Sequence, residues 1–222
     1  PEKALAAYKQ VISNYPGSEE AKIVLQDLKS VYIDLNDINA YASYVNSIGG
    51  NIRLEVGEQD SLTYIAAEKL FMRGDNDGAR RSLINYLQTF PEGAFSSNAN
   101  FYLGSIAFAK KEFDEAIQRF KSVIASGDTK FLEESVARTA EIEYLSKDYP
   151  AALESFKRLQ IVAENPENRQ AARLGIMRCA LQTGQQQDAL LAADELLKEP
   201  KLSPELEAEA RYVRAKAYIA QK

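Results

Sequence analysis

One alanine position recurs along the whole chain at nearly constant spacing. Its successive members lie 36, 39, 37, 36 and 37 residues apart. They are Ala4, Ala40, Ala79, Ala116, Ala152 and Ala189. In five of the six cases an aromatic residue or a leucine follows four positions later. A fixed period of this size is typical of repeat architectures, in which each repeat is one structural unit that packs against its neighbours.

The stretch 97–124 shows what a single repeat contains. Its two halves are separated by a polar break at Lys110-Lys111-Glu112, and the second half carries apolar residues at intervals of three and four. This spacing predicts one apolar stripe along a helix. Gly104 in the first half and Ala116 in the second have little or no side chain, so two helices that meet there can approach closely. We therefore predict two amphipathic helices packed back to back.

These residues resemble the tetratricopeptide repeat. Its pattern contains Leu-Gly in the first helix and Ala-x3-Phe in the second. Leu103-Gly104 matches the first element, and Ala116 followed by Phe120 matches the second. The Trp and Tyr of the pattern are replaced by Asn100 and Ala107. The resemblance covers essentially the whole chain, and it implies an all-α, right-handed superhelical solenoid of about twelve helices in antiparallel pairs.

The repeats define the expected domain organisation. We predict a single solenoid over residues 1–222 that begins and ends in the middle of a repeat, with one and a half repeats in 1–48 and the remaining repeats in 60–222. A longer connection, 49–59, separates the two parts. Its residues 52–56 alternate between apolar and charged side chains, so the connection is either an ordinary surface loop or a hinge or short strand that contacts the array or a partner.

The composition argues against several kinds of chemistry. The chain has no His and only one Cys, so catalytic sites that need histidine, and metal sites that contain it, are excluded. No glycine-rich phosphate loop is present. The net charge of −5, without a basic run, disfavours nucleic acid. We expect no catalytic residues, no cofactor, no metal and no membrane span, although paired carboxylates for glycoside hydrolysis stay open.

With these kinds of chemistry disfavoured, the surface of the helix array is where a function is expected. In the tetratricopeptide family the first helix of each pair lines a concave face that binds extended peptides or proteins, which implies a groove on this chain as well. Aligning the repeats places ten residues on or near that face: Tyr32, Tyr64, Glu68, Phe71, Phe101, Ser105, Phe108, Glu141, Tyr144 and Arg178. The alternative is that the aromatic members pack between repeats. We expect the centre of the groove at Tyr64, Glu68, Phe101, Ser105 and Phe108.

Two functions from different classes follow. The first is a non-catalytic scaffold that binds a polypeptide partner in the concave groove. The second is a ligand- or glycan-binding accessory, or part of an enzyme, with a pocket enclosed by the solenoid. A Pro-x-Gly/Ser join precedes two first helices, at Pro91 and in the stretch 15–18. These joins resemble those of bacterial cell-envelope repeat proteins, such as the outer-membrane assembly lipoprotein and the Tol-Pal-associated periplasmic coordinator. They imply the periplasm or cell envelope of a Gram-negative bacterium, with the cytoplasm as the alternative.

Overall fold

Helices account for most of the residues that the structure describes. The computed structural model describes residues 2–48, 53–127 and 130–220, and within these ranges it contains twelve α-helices and no strand. The helices are α1 Glu2–Asn14, α2 Glu19–Asp34, α3 Ile38–Ile48, α4 Val56–Met72, α5 Asn76–Thr89, α6 Ser96–Ala109, α7 Phe113–Ser126, α8 Leu132–Leu145, α9 Tyr149–Val162, α10 Pro166–Gln182, α11 Gln186–Leu197 and α12 Pro204–Ala220. The all-α prediction and the predicted helix number are confirmed. Over the same ranges, none of the helices combines the length and the apolar character that crossing a membrane would require.

The turn inside each helix pair contains one residue with left-handed backbone. The positions and their φ angles are Asn36 at 55°, Gly74 at 82°, Lys111 at 61°, Lys147 at 62° and Gly184 at 74°. A single left-handed residue ends one helix and reverses the chain within a few residues. Glycine adopts this conformation without steric cost, whereas a lysine does so only when the surrounding structure compensates. The same turn geometry is therefore built from different residue types.

Helix α4 begins earlier than the sequence suggested. We expected it to start near Asp60, but it begins at Val56, with Glu55 in extended conformation as its N-cap. The strand considered for 52–56 is wrong for its described part, because residues 53–55 are irregular and Val56 is helical; Ile52 lies outside the described residues. Val56 completes the alternation of apolar and charged residues that suggested a strand. Its side chain is 73% exposed, so this alternation does not reflect a buried face.

Asp60 lies within α4 and organises a buried network. Its carboxylate accepts a hydrogen bond from the Tyr86 hydroxyl at 2.5 Å and another from the Ala94 N–H at 2.9 Å. The Tyr86 hydroxyl in turn accepts from the Phe95 N–H at 3.0 Å. Buried polar groups are stable only when they are paired in this way. The network ties the start of α6 to α4 and α5.

The chain divides into two compact units, residues 1–106 and 107–222. In the first unit α1 packs on α2, α2 packs on α3 and α4, and α4 packs on α5. In the second unit each helix from α7 to α12 packs on the next one. The predicted single solenoid over the whole chain stays a prediction.

The recurring alanine position is buried in four of its six occurrences. Ala79, Ala116, Ala152 and Ala189 have no exposed surface, which confirms the prediction that Ala116 is buried. Ala40 is half-buried and Ala4 is exposed. Helix α1 packs on α2 around the buried Ile12, close to its C-terminal end, whereas Ala4 in its first turn is left exposed.

Candidate functional site

A cleft of about 280 Å³ lies in the second unit, between α8, α9 and α10. Its floor is apolar and includes Tyr144, Phe156, Leu159 and Leu174. Leu159 and Phe156 are buried at 1% and 9% exposure, whereas Leu145 at the edge is 55% exposed. Because the buried residues belong to the core of the unit, the floor is fixed by packing and needs no rearrangement to form.

Gly175 determines how closely α10 approaches the floor. A Cβ placed on Gly175 would lie 2.4 Å from the ring of Phe156, so no larger residue can stand there without moving the ring. The ring of Tyr144 meets that of Phe156 edge to face, with 6.4 Å between centroids. Such arrangements of aromatic pairs are favourable beyond their buried area. The glycine and the two rings together set the shape of the cleft.

Arg138 forms the central part of the cleft rim. Its Nε donates to Glu134 at 2.8 Å, and its Nη1 donates to Glu141 at 2.9 Å. The guanidinium also lies over the ring of Phe108, 4.9 Å from its centroid. Burial acts to lower the pKa of Arg138, but the two carboxylates outweigh it and the pKa is raised. The arginine is therefore charged, paired and held in one orientation.

Arg178 forms the other basic part of the rim. Its Nε and Nη2 each donate to the carboxylate of Glu209 on α12 at 2.7 Å, a bidentate geometry that adds strength and orientation. These bonds raise the pKa of Arg178 and lower that of Glu209, in both cases against the effect of burial. Cys179 next to it has no exposed surface, and burial raises the pKa of its thiol to about 11. Cys179 therefore packs as a small apolar residue.

Glu133 anchors the start of α10, which forms one wall of the cleft. Its carboxylate accepts from the Glu164 N–H at 2.9 Å, from the Asn165 N–H at 3.1 Å and from Asn168 Nδ2 at 2.7 Å. Burial acts to raise the pKa of Glu133, but these hydrogen bonds and the nearby Arg169 outweigh it and the pKa is lowered. Glu133 and Glu134, although both lie in the first turn of α8, thus have specific partners.

The first unit brings Tyr64 and Glu68 together, but in a different way from the one predicted. Glu68 accepts a hydrogen bond from the Tyr64 hydroxyl at 2.6 Å and one from the Tyr102 hydroxyl at 3.1 Å. Asn98 Nδ2 donates to the Tyr64 hydroxyl at 3.1 Å. Burial is the main cause that raises the pKa of both tyrosines. Glu68 thus joins α4 to α6 inside this unit.

Two of the predicted groove residues are buried. Tyr64 is 2% exposed and its ring stacks on Phe95 with 4.4 Å between centroids. Tyr32 is 5% exposed and its ring contacts that of Tyr41 at 5.9 Å. The expectation that these two rings face a partner is therefore corrected, because each lies on the side of its helix that packs against neighbouring helices.

The other predicted residues of the first unit are half-buried. The ring of Tyr102 contacts those of Phe71 and Phe101 at centroid distances of 4.6 and 5.7 Å. The Ser105 hydroxyl donates to the Phe101 carbonyl oxygen at 2.9 Å. These side chains retain some accessible surface, so a role in binding stays a prediction for them.

Four of the predicted residues gather at the cleft of the second unit. Glu141, Tyr144 and Arg178 line it, and Phe108 lies under Arg138. Sequence reasoning missed Arg138 itself. A signal was present, because Glu134, Arg138 and Glu141 are spaced by four and three residues and therefore share one helix face.

The repeats match a known family over part of the chain. Residues 66–129 match a family model described as tetratricopeptide repeat, and residues 1–18 match a second model with the same description. The predicted resemblance is confirmed for these segments. No curated protein sequence matches the chain.

Solved structures with the same fold are known. A structure of MamA from AMB-1 superposes with a TM-score of 0.55 at 14% identity, covering 86% of this chain and 98% of that one. A structure titled YrrB, a TPR protein with an unusual peptide-binding site, superposes with a TM-score of 0.52 at 13% identity, covering 93% and 98%. A further MamA structure gives 0.50 at 18% identity, covering 77% and 86%. At these identities the likeness shows the fold alone, which is built from the helix pairs of the tetratricopeptide type.

Proposed function

We propose that this chain, which carries tetratricopeptide repeats, is a non-catalytic interaction module that binds an extended polypeptide segment. The binding site is the cleft between α8, α9 and α10. The observation that carries the proposal is a preformed apolar floor with a polar rim that ion pairs hold in place. A rigid cleft of this kind lowers the entropic cost of binding. Its walls are the first helices of two consecutive repeats, where relatives with this fold offer curved surfaces to partners.

The chemistry of the cleft supports binding over catalysis. Arg138 and Arg178 are both held in ion pairs by glutamates. A nucleophile or general base needs a pKa tuned to its task and a free path to substrate. The thiol of Cys179 is buried, and its raised pKa keeps it protonated. The ion pairs and the buried thiol thus stabilise the structure of the cleft, and a binding surface requires such stability.

The open edge of the cleft supports a polypeptide over an enclosed small molecule. The cleft measures about 280 Å³, and its lining residues Leu145 and Ala171 are exposed. A cleft of this size can take one side chain of a longer segment while the rest of the segment lies along the surface. Within the first unit, the half-buried Glu68, Phe71, Phe101 and Ser105 remain a separate proposed contact surface.

The location we propose is the cell envelope of a Gram-negative bacterium. The support is the Pro-x-Gly/Ser joins that precede α2 and α6. Fractionation of cells that express the full-length protein from its own locus tests this proposal. Recovery with periplasmic or envelope markers is expected, whereas recovery with cytoplasmic markers would reject the location and leave the binding site unaffected.

The test of the binding function uses peptides selected from a random displayed library on the purified chain. Ala171 is exposed and lines the cleft, so Ala171→Phe fills the cleft without burdening the core. Ala215 is an exposed alanine of α12, and Ala215→Phe is the matched control. We expect the selected peptides to bind the parent and Ala215→Phe equally, and Ala171→Phe at least tenfold more weakly. Equal binding to all three proteins would reject the cleft as the site.

A further inference from the structure

The charges around the cleft restrict which part of a polypeptide can enter it. The rim carries two arginines and the glutamates Glu134 and Glu141, and Glu209 lies behind Arg178. Every one of these charges is within hydrogen-bonding distance of an opposite charge on the same protein, at 2.7–2.9 Å. Of the two other polar side chains of the lining, Asn168 donates to Glu133 and the Tyr144 hydroxyl is hydrogen-bonded with Arg178. Each charged side chain of the rim is therefore already paired with an opposite charge of the protein itself.

A charged ligand group would find no unpaired counter-charge in this rim. A carboxylate approaching Arg138 would face two carboxylates already bound to it, and an ammonium approaching Glu141 would face Arg138. Bringing an unpaired charge out of water costs free energy that only a specific partner recovers. Both signs of charge are thus disfavoured.

The floor has the opposite preference. Phe156 and Leu159 form its buried base, and the accessible apolar surface comes from Leu145, Tyr144 and Leu174. The close contact of Gly175 with the Phe156 ring packs this base firmly. Apolar surface that packing keeps open is stabilised when another apolar group covers it.

From these observations, and resting on the proposed function, we propose that the cleft selects an uncharged, bulky apolar side chain as the anchor of the bound segment. Leucine and phenylalanine are the side chains that the floor accommodates, and the paired rim excludes aspartate, glutamate, lysine and arginine. Because the rim charges are already paired within the protein, they offer no counter-charge to a charged side chain of the partner. Binding of the anchor is accordingly insensitive to salt, because no ion pair forms with the partner.

The test uses host peptides of sequence acetyl-Gly-Ser-X-Ser-Gly-amide, in which X is Leu, Phe, Glu or Lys. Their dissociation constants are measured by NMR chemical-shift titration at low and at high salt. We expect the Leu and Phe peptides to bind about tenfold or more tightly than the Glu and Lys peptides, with little change between the two salt concentrations. Ala171→Phe should abolish this binding, and Ala215→Phe should leave it intact.

A second variant tests the role of charge pairing directly. Glu134→Gln combined with Glu141→Gln leaves Arg138 without its counter-charges, so the Glu peptide should gain at least several-fold in affinity. Tight binding of the Glu or Lys peptide to the parent would overturn the apolar anchor. If Ala171→Phe then abolished the binding of that peptide, the cleft would still be supported as the binding site. Failure of all four peptides to bind would also overturn the anchor, while the displayed-library selection decides the binding function separately.

Discussion

The α-carbon of Gly175 lies against the aromatic ring of Phe156, so that a methyl group added to it would come within 2.4 Å of the ring carbons. Both residues line the proposed cleft. This contact joins α10 to α9 at the point where the floor of the cleft is formed. Glycine is otherwise unfavourable in a helix interior. Here the packing against Phe156 requires it.

Replacing Gly175 with alanine should destabilise the protein by about 1–3 kcal/mol, because the added methyl overpacks the contact. Chemical denaturation of the variant and the parent measures this change. In a Phe156→Leu background the same substitution should cost less, since the ring that it meets is gone. An equal cost in both backgrounds would show that the penalty does not arise from this contact.

The recurring alanine position offers a test with an internal control. Ala116→Leu inserts three carbon atoms at a site without exposed surface, and we expect a loss of about 1–3 kcal/mol in the free energy of unfolding. Ala4→Leu makes the same change at the corresponding position of the first repeat, where the side chain is exposed, and should have little effect. Thermal melts of both variants check the comparison; equal shifts would contradict the assignment of the repeat register.

The left-handed turns predict a different kind of glycine effect. Gly184 has a φ of 74° with no atom close to its missing Cβ, so Gly184→Ala introduces only backbone strain, of about 1–2 kcal/mol. Gly57 is also open to solvent but lies in the first turn of α4 with ordinary backbone. Gly57→Ala should therefore be neutral or stabilising. Urea denaturation compares the free energies of unfolding of the two variants. An unchanged stability of Gly184→Ala would argue against a left-handed backbone at this position.

Glu133 predicts a dependence of stability on pH. Its pKa is lowered in the folded protein, so the stabilisation by its carboxylate is fully present above the pKa of an unfolded glutamate, about 4.3. It is lost as the pH falls through the lower folded value, when the carboxylate is protonated. In Glu133→Gln the decline of unfolding free energy below this pH should be shallower than in the parent. Glu92→Gln, at an exposed site, is the control and should follow the parent curve.

Most of the fold could be predicted from local patterns. The helix α7 was predicted because its apolar residues recur at helical spacing. The start of α4 was missed, because Val56 is apolar yet exposed and no Ser, Thr, Asp or Asn caps the helix there. Other helix starts carry the usual local signals: Ser18 caps α2 by accepting from the Ala21 N–H at 3.0 Å, and Pro150 lies in the first turn of α9.

The site was less predictable than the fold. Glu141 and Glu143 are two residues apart on α8 and therefore point in different directions: Glu141 lines the cleft, whereas Glu143 is 5% exposed and accepts from Ser155. The choice between a groove-facing and a packed aromatic ring depends on contacts between helices, which spacing along one helix does not specify. For that reason Tyr64 was placed in the groove although its hydroxyl is bound to Glu68 and its ring is buried.

The most direct test of the cleft is hydrogen–deuterium exchange of the whole chain with and without a peptide from the displayed library. A ligand stabilises the segments that it contacts against local opening. We predict slower amide exchange in α8 and α10, at the segments around Arg138, Glu141 and Arg178. Unchanged exchange in these two helices at saturating peptide, with slowing confined to α4 and α6, would contradict the cleft as the binding site.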